Sequence, residues 1–557
     1  MKKTRLAVLL SCSLITLAAQ SAQYKVVELP MSELGQSAFP TDINNSGNVS
    51  ANVQNIYLPV IDVSLINFEL ESLINNLTDI EAAKAGNLNA ADYLLLYSFV
   101  TANRENQAFQ QIAQRKSFVS SESMATLLPG FDLKTVSNDV YDGSTSTIVR
   151  GLNDFGYAVG AGQGGFYKLP YVLEDATERT YVLNDFYRRA FVQVNGSVVE
   201  LPPPDTTVGG LSDAFDINSN NQVVGNGTTE IASATFQTSV DNCLDDTVRT
   251  DIPVESCLRT LNIALNSSPS TYAQRRGLIW QLDDQGNLLS TKELGLLLQP
   301  ELDDTRIFSS TAVAINNNGI AVGESSADTV YRGRNYTNGA AAFFIGDQVS
   351  TINSDVDNFT STAIDINDDD IAVGYVQKQV NGVLRKKMFM HNINTDVTSY
   401  QDGFFLGSST VPSSMNNNGM VVGYGEVESS IGNRRNAGFL YNDVNKTFTD
   451  INTLIACDSP YSIQNANGIN DNNEIAATAL KKGKSTNVRG EVVLDSDGLE
   501  VEVDVVVAVK LIPIEGGSIE ECNAVDDVNL PRQGAGSSWL LLLAFLGFGL
   551  RKLQRNA

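Results

Sequence analysis

The sequence predicts an all-β protein, a β-propeller of about seven four-stranded blades in repeats of about 50 residues, with a small helical insertion. Three observations carry this. A turn motif led by Asn recurs seven times, a second hairpin follows it in each unit, and the first strand repeats the last strand of an internal unit.

The motif is an apolar residue, Asn, two or three of Asn/Asp/Ser/Gly, then an apolar strand usually ending in Val-Gly. Its copies begin at Ile43-Asn44, Leu152-Asn153, Ile217-Asn218, Ile315-Asn316, Ile366-Asn367, Met415-Asn416 and Ile469-Asn470, the last four asparagines being 51, 49 and 54 residues apart. Asn, Asp and Gly tolerate the left-handed backbone of a tight hairpin, which accounts for the composition. Apolar alternation flanks the turns, as at Ala312 and Ala314 before and Ile320 and Val322 after.

The second hairpin is clearest at Ala341–Ile345, turning at Gly346-Asp347 into Gln348–Ile352, and it gives four strands per unit. Val26-Val27-Glu28-Leu29-Pro30 recurs as Val198-Val199-Glu200-Leu201-Pro202, where it ends a unit. The N-terminal copy is therefore expected to complete the unit built around Glu500 to Leu511 and seal the ring. Six or eight blades and an open solenoid are the alternatives. Helix-forming runs between Ile80 and Lys116 predict a helical insertion at about 80–116. The long gap at about 228–273 is read as a loop stapled by cysteines.

The chain has 557 residues, with 38 basic against 64 acidic and a formal net charge of −26. A surface this acidic repels nucleic acid over about 8 Å at physiological salt, which excludes it as the main partner. Met1-Lys2-Lys3-Thr4-Arg5 followed by the apolar run Leu6–Ala19 predicts a signal peptide over 1–21. The repeat region would then occupy 22–530 and a Gly/Ser linker with an apolar tail 531–557. An exported chain is expected to oxidise its cysteines. Of the three ways to join Cys243, Cys257, Cys457 and Cys522, the local pairing of Cys243 with Cys257 and Cys457 with Cys522 is preferred.

Gly534-Ala535-Gly536-Ser537-Ser538, the run Trp539–Leu550 and the basic cluster from Arg551 to Arg555 resemble the GlyGly-CTERM sorting tail of Gram-negative bacteria. That resemblance implies export machinery and a rhomboid-like sorting protease as partners, and a cell-surface or extracellular address with or without a membrane tether. Twelve apolar residues reach about 18 Å as helix, against a hydrocarbon core of about 30 Å. The Ile-Asn-x-x-Gly-x-x-Val-Gly units resemble the HAF repeat of extracellular bacterial proteins, and their layout resembles the uncharacterised family called domain of unknown function 3466. The histidine expected before Ala-Phe is replaced by Arg189, Ala341 and Lys387. The resemblance implies a fold and an address and brings no activity.

Chemistry is sparse. His391 is the single histidine and is read as a strand residue; no Gly-x-Ser-x-Gly elbow and no P-loop occur, and no cofactor is expected. Gly160–Gly165 fits a dinucleotide fingerprint without the helix it needs, and is read as a flexible turn. Asp42 and Asn44, and Asp365, Asn367 and Asp369, imitate the start of a calcium loop, but Val53 and Val376 stand where its closing carboxylate belongs.

Basic residues precede the third strand of several units: Arg188 and Arg189, Arg275 and Arg276, Arg332 and Arg334, Arg385, Lys386 and Lys387, and Arg434 and Arg435. Ring symmetry would gather them on one rim, able to grip an envelope or extracellular polysaccharide, unless each neutralises acids of its own surroundings. The function expected is a non-enzymatic exported propeller with a binding role. A carboxylate-using polysaccharide enzyme and a structural spacer of the envelope are the alternatives.

Overall fold

Each Asn-led turn closes the hairpin between the first two strands of a four-stranded antiparallel sheet, and seven such sheets follow along the chain. This computed structural model describes residues 22–134, 141–301, 303–352, 359–429, 434–520 and 522, so the expected signal peptide and sorting tail lie outside the described residues. The chain divides into two units, Met1–Ile519 and Glu520–Ala557, and all that follows concerns the first.

Blades 1 to 6 open with strands Gly35–Ile43, Thr147–Leu152, Ser212–Ile217, Ser310–Ile315, Ser361–Ile366 and Thr410–Met415. Blade 7 is built from Ser462–Ile469, Ile475–Lys484 and Glu502–Pro513, and takes its fourth strand, Tyr24–Glu28, from the other end of the repeat region. Tyr24 stands opposite Pro513 and Glu28 opposite Val509, the closure that the sequence predicts. The seven first strands adjoin one another in order around an axis, blade 7 meeting blade 1.

The repeated residues have separable jobs. In the turn, the left-handed backbone falls on the fourth position, with positive φ at Gly47, Gly156, Asn221, Gly319, Asp370, Gly419 and Asn473. The leading Asn is there for its side chain, which the reading by backbone tolerance did not foresee. In blade 4, Asn316 Oδ1 accepts the N–H groups of Asn318 at 3.2 Å and Ile320 at 3.0 Å, tying the turn to itself.

The glycine of Val-Gly answers a bulge. In blade 4 the first strand slips register between Ala312 and Ala314, and a Cβ on the facing Gly323 would lie 2.0 Å from the Thr311 carbonyl oxygen. Gly160, Gly225, Gly374 and Gly423 are crowded in the same way. Gly160 and Gly162 therefore belong to the buried strand Ala158–Gly162, and the first part of the segment read as a flexible turn is sheet.

Blades pack face to face, so the core runs around the ring. Between blades 2 and 3, Val192 and Leu201 meet Ala214, Val223 and the fully buried Trp280, whose Nε1 donates to the Pro202 carbonyl at 3.1 Å. Truncating a buried aromatic of this kind costs about 3–5 kcal/mol.

Blades 1, 2 and 3 each carry an insertion between their second and third strands. Blade 1 has helices Glu71–Ile74, Ile80–Lys84 and Ala90–Ala102 around Leu73, Leu96 and Val100. The Gln107–Gln114 run, which reads as helix-forming, is not helical. Its glutamines bind elsewhere: Gln107 to Ser256 and Thr260, and Gln110 to Val60 and Asp62. Blade 2 inserts the hairpin Tyr167–Val172 and Glu178–Leu183. In blade 3 the expected loop is instead a pair of helices, Ala234–Leu244 and Val254–Ser267. Phe236, Val240 and Leu265 give it a small core, and Cys243 is bonded to Cys257. Cys457 is likewise disulfide-bonded.

Candidate functional site

In an antiparallel blade the connection between strands 2 and 3 lies at the opposite end from the turn between strands 1 and 2. The Asn-led turns therefore mark one face of the ring, and these three insertions, like the connection 485–501 of blade 7, rise from the other. They brace one another there. Lys168 of the hairpin pairs with Asp62 of the first insertion at 2.7 Å, Val182 N donates to Gln107 O at 2.6 Å, and Tyr171 Oη donates to Asp251 of the third insertion at 3.2 Å.

Beneath this brace lies a cleft of about 490 Å³, bounded by residues 104–115, the first two strands of blade 2, and the helix Val254–Ser267. Its charged lining is Arg104, Arg115, Arg188 and Arg259 against one carboxylate, Glu105. Arg259 is 7% exposed; its Nε donates to Asn184 Oδ1 at 2.8 Å and its guanidinium lies 5.5 Å from the Phe166 ring centroid. Burial holds Arg259 below the ordinary arginine range. Arg115 Nε is enclosed with no hydrogen-bond partner. Arg104 meets Glu105 at 3.5 Å with both side chains largely in solvent, so that pair neutralises little. Arg188 is held by Asn266 at 2.9 Å and by the buried Asp213 at 2.7 Å; Asp213 also stands 3.6 Å from Arg150.

Of the remaining basic residues only Arg332, Arg434 and Arg435 precede a third strand; Arg189, Arg275, Arg276, Arg334, Arg385, Lys386 and Lys387 lie within one, and most of the set are engaged locally. Arg189 is buried against Glu200, the Gly209 carbonyl and the Phe186 ring, and burial lowers its pKa. Arg275 donates to Asn226 at 2.6 Å, and Arg276 donates to the Arg275 and Phe308 carbonyls. Arg332 reaches Gln379 while Arg334 is exposed at the same hairpin tip. Arg385 and Arg434 share Glu426, at 3.8 and 2.5 Å, and Arg435 meets Glu428 at 3.2 Å. Lys386 lies over Tyr375, and Lys387 is buried against the carbonyls of Asp402 and Leu406. The structure brings only Arg188 of this set into the cleft.

On the axis the turns form two nearly closed rings of hydrogen bonds, each with six of the seven links between neighbouring blades. The Nδ2 of Asn44 donates to Asn153 O at 3.1 Å, and the pattern continues from Asn153 to Asn218, Asn218 to Asn316, Asn316 to Asn367, Asn416 to Asn470, and Asn470 back to Asn44. The next residues along make a second ring, in which Asp368 accepts from Asn317 and Asp471 accepts from Asn417. Deeper in, Asp42, Asp216 and Asp365 occupy the bulges of alternate blades. Each accepts its successor's N–H and one from the following blade: Leu152, Ile315 and Met415 respectively. Burial first, then repulsion from Asp216, pushes Asp42 up to about 8 and Asp365 up to about 7; burial also raises Asp216.

These bonds engage most of the residues that imitate a calcium loop. Asp42 and Asp365 receive backbone donors, Asn44 and Asn367 tie their own turns, and Asp369 is exposed. No three metal-ligating side chains converge among the described residues. His391 is a buried strand residue whose Nδ1 meets Thr398 Oγ1 at 2.9 Å. Sequence reasoning missed Arg104 and Arg259, which come from insertions that follow no repeat, and Arg115, which opens the third strand of blade 1.

A family model described as "Protein of unknown function (DUF3466)" matches residues 2–553. No curated protein matches the chain. Among solved structures, the β-propeller domain of the Trilobed protease from Pyrococcus furiosus, described as having an open velcro topology, aligns over 85% of this chain and 94% of its own, at 8% identity and a TM-score of 0.30.

Proposed function

The chain belongs to the family of proteins of unknown function matched above, and from its own geometry we propose an exported, non-enzymatic binding propeller whose ligand is an anion seated in the cleft beside blade 2. The observation that carries this is the lining: four arginines against one lining carboxylate, Glu105, with only Arg188 of the four paired to a further acid among the described residues, the buried Asp213, in a chain of net charge −26. Cations so placed attract and orient an anion, and arginine pairs with carboxylates or phosphates through two parallel hydrogen bonds. A glycosidase calls for two carboxyl groups facing the bond to be cut, and the cleft offers Glu105 alone. A spacer has no use for a braced cleft.

Export is supported by the basic and apolar N-terminus, by the HAF-like repeats and by the C-terminal likeness to GlyGly-CTERM tails, which a rhomboid-like protease would process. The Cys243–Cys257 bond suits an oxidising compartment. No described helix is long and apolar enough to cross a membrane. Envelope or extracellular polysaccharide is the partner this address offers.

The test is retention of the purified full-length chain on immobilised polyanions. Retention at about 50 mM salt, release near 0.5 M, and loss in an Arg104→Gln/Arg115→Gln double variant are expected. A chain that ignores every polyanion at low salt refutes the reading. Digestion of intact cells with an impermeant protease tests the address: cleavage of the propeller supports surface exposure, and full protection removes it.

A further inference from the structure

We propose that the anion taken by this cleft is a carboxylated saccharide, a short uronate-type oligosaccharide whose carboxylate pairs with Arg115. The proposal rests on the reading of the cleft as an anion site and adds the class of ligand.

Arg115 and Lys116 are neighbours on the third strand of blade 1, Arg115–Ser120, so their side chains leave opposite faces of the sheet. Lys116 turns inward and meets the buried Asp132 at 2.5 Å. Arg115 turns to the cleft, where its Nε is shut off from water with nothing to donate to. An enclosed donor without an acceptor is costly, and the cost is removed when a ligand supplies the acceptor. Arg259 points the same way: it is buried, its contacts are an amide and an aromatic ring, and no carboxylate among the described residues forms an ion pair with it.

The placement of charge selects among anions. The four arginines come from four separate segments: the first insertion, blade 1, blade 2 and the blade 3 helix. Arginines drawn from separate segments suit a ligand that carries more than one charge along its length. The wall also carries amides and aliphatic groups, among them Gln114 and Gln163, Ile148 and Ile263. An amide both donates and accepts, as a sugar hydroxyl requires, whereas a phosphate asks for donors only. Aliphatic side chains cover the C–H face of a pyranose ring. At about 490 Å³ the cleft lies within the range of roughly 300–1,000 Å³ that holds a small organic ligand.

The experiment is calorimetric titration of the purified full-length chain with a galacturonate trimer, a neutral galactose trimer and inorganic pyrophosphate, for wild type, Arg115→Gln and Arg115→Lys. The expected result is binding of the uronate trimer, binding of the neutral trimer at least roughly tenfold weaker, and a loss of about tenfold to a hundredfold in Arg115→Gln, partly restored by Lys. If far-ultraviolet circular dichroism shows that Arg115→Gln is unfolded, the solvent-exposed Arg104→Gln takes its place. Pyrophosphate binding more tightly than the uronate trimer, with the same dependence on Arg115, overturns the saccharide class and leaves the anion cleft standing. Binding of neither anion overturns both. Uronate binding that neither arginine variant weakens places the sugar elsewhere and overturns the proposal.

Discussion

The Oδ2 atom of Asp42 accepts the backbone N–H of Leu152 at 2.9 Å, so a carboxylate of blade 1 holds the inner strand of blade 2. Asp216 and Asp365 repeat this toward blades 4 and 6, and the residues at the same bulge in blades 2, 4, 6 and 7 are Gly151, Ala314, Ser414 and Gly468. Small residues leave room for the neighbouring strand: a Cβ on Gly468 would lie 3.1 Å from the Asp42 Cα.

These acids give the fold an alkaline weakness. Asp42 and Asp365 titrate near 8 and 7 in the native chain and near 4 when unfolded, so the native state holds protons that the unfolded state has released. Their contribution is full below about pH 4 and is lost as pH rises through 7 to 8. Urea denaturation should show stability falling by more than about 1 kcal/mol between pH 5 and 8.5, with a shallower fall in Asp42→Asn. A slope unaltered by that substitution refutes the assignment.

Glu28 works in the opposite direction. Burial alone would raise its pKa, but hydrogen bonds from Lys481 at 2.5 Å, Ser32 at 2.8 Å and Tyr461 at 2.9 Å hold it below the ordinary value. A lowered carboxylate stabilises above its unfolded pKa and stops doing so as pH falls through the native one. Glu28→Gln should cost about 1–3 kcal/mol at pH 7 and little at pH 3. Thermal melts at the two values decide it.

Asn316→Ala should destabilise the chain by about 2–4 kcal/mol, because it strands the Asn318 and Ile320 donors and the Asn367 carbonyl, all close to the axis. An exposed second-ring residue, Asn317, is the control, and its alanine variant should lose less than about 1 kcal/mol. Equal losses would deny the leading asparagine its special role.

Gly323→Ala should cost about 2 kcal/mol or more, since the added methyl lands on the Thr311 carbonyl and the bulge must open to admit it. Gly333→Ala adds a methyl in open space, and its cost should come from backbone conformation alone. Comparing the two midpoints in denaturant separates crowding from conformation.

Reducing Cys243–Cys257, or replacing both with Ser, should leave the ring's main melting transition nearly unchanged and loosen the helix pair that carries Arg259. A loop of this length restricts the unfolded helix pair by about 3 kcal/mol. Limited proteolysis should cut near Asp251 faster in the variant, and retention on polyanions should weaken. A collapse of the whole melting curve would show the pair to be integral to the ring.

What could be read beforehand follows from what repeats. Seven copies of one turn, a twice-used Val-Val-Glu-Leu-Pro strand and the paired hairpins state the ring and its closure, because every blade faces the same packing problem. The blade 3 helices were legible in principle, since Cys257, Leu258, Leu261 and Leu265 recur at helical spacing, but the two cysteines drew the reading toward a loop. The blade 2 hairpin and the cleft had no such signal. Arg104 and Arg259 belong to two unrelated insertions and Arg115 to a blade strand, and they meet only because those insertions share the face on which that strand begins. The basic pairs, by contrast, were conspicuous in sequence and are mostly occupied with neighbouring acids and carbonyls.

Tyr24–Glu28 is made early and finds its partner, Glu502–Pro513, only after every other strand has left the ribosome. Until then the growing chain is an arc with two unpaired strand edges, the kind of surface on which a second arc can dock. Contact between such distant segments is also slow to form. Closure therefore depends on synthesis passing Pro513: a chain cut short before Glu502 keeps its open ends and stays vulnerable to aggregation and proteases.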